Sequence, residues 1–277
     1  MDIQLSEAEA ARLKRKPAAN PDAEDLALQC DAEKVDAGYR LCEQALAADP
    51  NNVPALTTLS LKFLLPAAFG RSADLKADLE RADELASKAL ALDPNYARAH
   101  TLKAGILSLQ GRHDEAIAQN ERALALDPAQ LYAVAGLSWD YHYLGQFEKS
   151  LEFSDKAIRL SPHDPSLEDW YRARMAANFG LKRYDLAIEW ARRAIAIKAD
   201  NLWAYLNLIA GFALTGREAE AHEALRNYLA AVPGGPKTIA AWKAIAPPFT
   251  YAHSDPRYLD MWNWAMEGLR KAGLPEE

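Results

Sequence analysis

The chain has 277 residues, half of them apolar and 26% charged, with a net charge of −7 and a pI near 5.5. That composition suits a soluble helical protein, and the acid excess argues against nucleic acid as a partner, because such a partner demands a basic stripe. No apolar run approaches the roughly 18 residues of a membrane span, and the acid-bearing start MDIQLSEAEAARL lacks the basic and apolar regions of a secretory signal. A cytoplasmic chain without membrane contact is the expectation.

From the N-terminus, residues 3–16 predict a helix, with Ser6 and Glu9 in a capping-box pattern. The one basic cluster, Arg12 to Lys16, reads as its solvated end. Residues 17–21 form a linker that completes an N-terminal segment 1–21. Helices are then expected at Asp22–Cys30 and Lys34–Ala48. Cys30 and Cys42 lie in them without metal-ligand spacing, as small apolar residues, so neither a disulfide framework nor a zinc site is expected.

Beyond this pair the punctuation becomes regular. Pro94, Pro128 and Pro162 stand 34 residues apart, Ala199 follows 37 later, and Pro233 another 34 after that. Gly111, Gly145 and Gly216 mark inner turns, with Lys182 in the equivalent place. In residues 95–128 the helical patterns are Ala97–Leu109 and Asp114–Leu126. Small residues recur seven apart at Ala82/Ala89, Ala116/Ala123, Ser150/Ala157 and Ala187/Ala194, nearly two turns, so each pair shares a face that a neighbouring helix can approach closely. Tyr228 breaks that pattern in the last unit and suggests a changed neighbour there.

These residues, with Leu137, Tyr141, Phe147, Ser150, Ala157 and Pro162 in one unit, resemble the tetratricopeptide repeat (TPR). The expected fold is all-α: a right-handed superhelical solenoid of about five helix-turn-helix units with an N-terminal helix and a C-terminal helical cap. Units fall at about 22–50, 53–94, 95–128, 129–162, 163–199 and 200–233, an array over 22–233. Unit 53–94 is ten residues long for its class, and the excess is expected in the turn Pro66–Asp78. Residues 234–277 are expected to cap the array with helices near Thr238–Ile245 and from Asp255-Pro256 to Gly273, where Trp262, Met266 and Leu269 share one face.

No catalytic constellation emerges, and neither a cofactor nor a metal is expected. The sequence GGPKT at 234–238 ends like a phosphate loop, but Pro236 removes a backbone N–H and no strand precedes it. The six histidines form no pair at i, i+4. We expect no enzyme.

The informative helix is Leu131–Leu144, apolar on two faces. Val134, Leu137 and Tyr141 form one stripe, and Tyr132, Trp139 and Tyr143 another. The first helix of unit 200–233 repeats this with Trp203 and Leu206 on the second face, Arg172 and Phe179 fall between the two helices, and His142 stands beside Tyr143. In TPR superhelices the first helices line the concave groove. The resemblance therefore implies that Tyr132, Trp139, His142, Tyr143, Arg172, Phe179, Trp203 and Leu206 hold a partner peptide or protein. The alternative is that these aromatics only pack neighbouring units or the cap. TPR modules that grip acidic chaperone tails use paired Lys and Asn; Arg98, Thr101, Tyr132, Ala135 and Gly136 stand on those faces here, so that mode is not expected. A monomer or weak homo-oligomer is the expected state.

The ends carry a second resemblance. SDPRYLDMWNWAMEGLRKAGLPEE, QLSEAEAARLKRKPAANPDAEDL and YDLAIEWARRAIA are similar to the TPR region of bacterial class III adenylate cyclases with a TolB-like segment. Relatives of those carry a winged-helix DNA-binding domain instead. That resemblance implies a regulatory arm of a cyclase or regulator, and it carries no catalytic residue, since no cyclase domain fits before residue 3.

Overall fold

A computed structural model describes residues 21–33, 35–68, 71–162, 167–245 and 255–277. The helix expected at 3–16, with its basic end, lies outside them. All regular structure among the described residues is helical: α1 (Pro21–Ala32), α2 (Val35–Ala48), α3 (Val53–Ala68), α4 (Leu75–Leu92), α5 (Ala97–Leu109), α6 (His113–Leu126), α7 (Leu131–Tyr143), α8 (Phe147–Leu160), α9 (Leu167–Gly180), α10 (Tyr184–Ile197), α11 (Leu202–Leu214), α12 (Glu218–Ala231), α13 (Ile239–Ala244) and α14 (Pro256–Lys271). The chain divides into two compact units, Met1–Gly136 and Leu137–Glu277.

The pairing follows from the sequence punctuation. Gly111, Gly145 and Gly216 turn the chain with φ of 75°, 64° and 75°, a region where a side chain is costly. Lys182 adopts it too, at φ 58°. Between the first four pairs, the Asp before Pro50, Pro94 and Pro128 closes the turn: Asp49, Asp93 and Asp127 accept from N–H groups two residues on, at 3.0, 3.0 and 3.1 Å. Every small residue of the seven-residue pairs, from Ala82/Ala89 to Ala187/Ala194, is fully buried. That absence of side-chain bulk is what lets the second helices seat against their neighbours.

In the N-terminal unit α1 packs on α2, α3 on α4 and α5 on α6, while α1, α3 and α5 also meet one another. The extra residues of the second pair lengthen its helices, to 16 in α3 and 18 in α4 against 13 or 14 in α5 and α6. The expectation of a long turn at Pro66–Asp78 is corrected accordingly. Alanine and leucine on both sides of Pro66 continue the helix past it.

The two cysteines also require a correction. Cys30 on α1 and Cys42 on α2 form a disulfide, with Cα atoms 5.3 Å apart and both residues fully buried. They sit among Leu56, Leu59, Leu85, Ala89, Tyr96 and Ala99. Sequence spacing alone did not show that the two helices of this hairpin bring them face to face.

In the C-terminal unit α8, α9, α10, α11 and α12 follow in contact, each with the next. Tyr228, where a small residue stands in other pairs, is buried against Tyr205 and Trp242 and donates its hydroxyl to the Pro236 carbonyl at 2.7 Å. Thr238 of the GGPKT sequence caps α13 by accepting from Ala241 N–H at 3.1 Å, so this stretch serves as a helix start. α14 does not stop at the end of the array. It lies along the first helix α11 and reaches α9 and α13.

Candidate functional site: the first-helix faces

First helices α7, α9 and α11 carry the aromatic stripes that the sequence singled out. In the N-terminal unit Tyr132, in the first turn of α7, is 65% exposed, well beyond any other exposed large apolar residue among those described. The same unit carries a polar chain across α1, α3 and α5. Arg98 donates to Asp31 at 2.6 Å, Thr58 donates to the same carboxylate oxygen at 3.1 Å, and Lys62 donates to the Glu33 carbonyl at 3.0 Å. Burial pushes the Asp31 carboxyl up, but the Arg98 and Thr58 bonds outweigh it and hold it below its ordinary range. Arg98 is thus engaged within the chain.

In the C-terminal unit Trp139 is half-buried, with the Arg172 guanidinium 4.8 Å above its ring and Tyr143 stacked 6.1 Å away. Arg172 also meets Asp169 at 3.3 Å. A cation over an indole face is held by the ring quadrupole.

The expectation of an open groove along His142, Phe179, Trp203 and Leu206 is corrected. His142 is 4% exposed, Phe179 1% and Leu206 3%, and Trp203 is half-buried between Trp242 and Trp262 at 6.0 and 6.2 Å. The reason is α14. Its Tyr258 closes edge-on over His142 and Tyr143, both at 5.4 Å, and its Trp262, Met266 and Leu269 are core residues. For these positions the packing alternative describes the structure. Sequence reasoning recognised the apolar face of α14 but took it for a plug at the end of the array. It missed Lys182, whose ammonium lies 3.9 Å from the Trp264 ring.

Burial leaves its mark on His142. Desolvation, with the Arg172 charge adding to it, lowers its pKa to about 3. The folded unit therefore excludes a proton that the unfolded chain binds below its ordinary value near 6.5. The unfolded state binds more protons between these values, so stability falls as pH drops from about 6.5 toward 3. Denaturant midpoints at pH 7 and pH 5 should differ in the wild type, and His142→Phe should reduce that difference.

Among the described residues no group of three or more His, Cys, Asp or Glu is placed to hold a metal ion, and no helix is long and apolar enough to cross a membrane.

Two family models, each for the tetratricopeptide repeat, match residues 85–118 and 136–164. No curated protein matches the chain significantly. Among solved structures the chain is similar to pilF of Pseudomonas aeruginosa, with 19% identity, 77% of this chain and 93% of that one covered, and a TM-score of 0.59. It is also similar to PilW, a widely conserved type IV pilus biogenesis factor (18% identity, 78% and 91% covered, TM-score 0.58). A thermophilic TPR protein of Thermus thermophilus aligns with 18% identity over 69% of this chain and 97% of its own, at a TM-score of 0.52. At these identities the likeness concerns the fold. The regular structure of the described residues is all helical, and residues 85–118 and 136–164 match tetratricopeptide repeats.

Proposed function

We propose that the chain is a non-catalytic protein-interaction module that holds a partner peptide or protein on the faces of its first helices. One observation carries this reading: the first-helix face of the C-terminal unit already holds a helical segment, α14, whose apolar face shares one core cluster with Phe179 and Leu206 and packs against Trp203. Beside that segment Trp139 stays half-exposed under Arg172, and in the N-terminal unit Tyr132 stands free. Large amphipathic aromatics and arginine are the residue types that anchor interfaces. Neither a nucleic-acid nor a membrane partner is proposed, given the acid excess of the whole chain.

The test compares capture of partners from source-cell lysate by wild type, Tyr132→Ala, Trp139→Ala and a control, Leu160→Ala. Leu160 is 44% exposed on a second helix, α8. A partner held by wild type and the control but lost from the aromatic variants, at unchanged helicity, supports the reading. Equal capture by all four chains moves the binding surface elsewhere.

The reading as a cyclase or regulator arm rests on the resemblance of the ends and of residues 184–196 alone. The C-terminal motif behind it has a packing role in this fold, since Tyr258, Met261, Trp262, Met266 and Leu269 are all buried.

A further inference from the structure

Several features outside the repeat pattern converge on α14. It is capped at both ends by its own residues: Asp255 accepts from Arg257 N–H at 2.9 Å, and Gly273 turns the chain out at φ 91°. Its buried positions Tyr258, Met261, Trp262, Ala265, Met266 and Leu269 recur at spacings of one, three and four, so they form a single aromatic and methionine-rich face. That face lies on α11 and reaches α9, both first helices of repeat pairs.

The helix is held at both ends, and at its start Arg257 lies against Gly145 and donates to the Leu144 carbonyl at 3.2 Å. Toward its C-terminal end, Gly268 lies so close to α11 that a Cβ there would stand 2.6 Å from the Ala210 Cα. The tail then pairs with the start of α13, where Ile239 and Ala240 donate to the Pro275 and Glu276 carbonyls at 2.8 and 3.0 Å. Toward its N-terminal end, Tyr258 covers His142, whose Nδ1 is buried without a hydrogen-bond partner. Trp242 Nε1, beside Trp203, is buried and unpartnered as well. Buried polar atoms without partners raise the free energy of the closed arrangement.

We propose that α14 is a resident ligand of this face: the C-terminal unit is a receptor for an amphipathic helix with an aromatic and methionine stripe, and such a helix on a partner protein displaces α14. This rests on the interaction-module reading and adds the partner's chemistry and the device that controls access. A displacing helix needs a glycine opposite Ala210, because even a Cβ meets backbone there. It outcompetes α14 where it presents a polar group to His142 Nδ1.

The test is hydrogen exchange on the full chain, joined to binding of a fluorescent synthetic peptide spanning residues 255–277. If α14 opens without unfolding the repeats, its amides exchange at least ~100-fold faster than those at the centre of α11. The wild type binds the peptide poorly, because its tethered copy competes at high effective concentration. Gly268→Leu, whose own helix no longer fits, binds it at least about tenfold more tightly. Equal exchange of α14 and α11 in the wild type makes α14 a permanent part of the core and overturns the proposal, whatever Gly268→Leu does. If that variant loses helicity, the wild-type exchange contrast decides alone. Failure of the interaction-module reading looks different: the exchange contrast persists while capture is indifferent to Tyr132 and Trp139.

Discussion

Leu269→Ala is expected to destabilise the C-terminal unit by about 2–5 kcal/mol, the usual range for emptying a fully buried leucine site. Leu269 is completely buried in the cluster that joins α14 to α11. The loss combines the transfer of its methyl groups with the cavity left behind, and α11 cannot move in to fill the space because Gly268 and Ala210 are already in near-backbone contact. Leu160→Ala removes the same atoms from a side chain that is 44% exposed, and that change should stay within about 0.5 kcal/mol. Urea midpoints of the two variants against wild type measure the difference. Similar small shifts for both would show that α14 contributes little to the folded unit.

Cys42→Ala is expected to cost the N-terminal unit about 3 kcal/mol, the loop-closure contribution of a short cross-linked segment. The bond closes a separation of 12 residues and ties α1 to α2 in the hairpin at the edge of the repeats. Apart from the Arg98 and Thr58 bonds to Asp31, α1 has few other holds. Its buried apolar residues are Ala23, Ala27 and Cys30, all small, so little apolar area keeps it in place once the bond is lost. Thermal unfolding with and without a reductant should show the same loss in the wild type and none in the variant. Disulfides persist in oxidising compartments and are rare in the cytosol. Thiol labelling of the chain in intact source cells reads out which state the pair keeps there.

Much of the fold was legible because each turn has a local cause. Glycine at the left-handed position, aspartate before proline, and small residues seven apart are all choices that a single helix pair dictates. The pattern Ala97–Leu109 coincides with α5, and Asp114–Leu126 misses the start of α6 by one residue. What escaped the sequence depends on distant parts of the chain. Pro66 reads as a stop, yet α3 continues to Ala68 because its flanking residues are helix formers and an unsatisfied carbonyl finds Arg71 N–H at 2.8 Å. The cysteine pair required knowing the register of α1 against α2. At the candidate site, the periodicity of Trp139, Tyr143, Trp203 and Leu206 pointed to a second apolar stripe. It did not reveal that a helix some 60 residues downstream of Trp203 would cover half of it, because an amphipathic stripe shows that a face is buried without showing against what.

The central claim is that α14 occupies the first-helix face of the C-terminal unit. The most direct measurement is a nuclear Overhauser experiment on the full chain with only its aromatic rings protonated. Cross-peaks are expected between Trp203 and Trp262, whose ring centroids are 6.2 Å apart, and between His142 and Tyr258, at 5.4 Å. Their absence, in a sample that does show the Tyr205–Tyr228 contact at 5.7 Å within the repeat, would contradict the account.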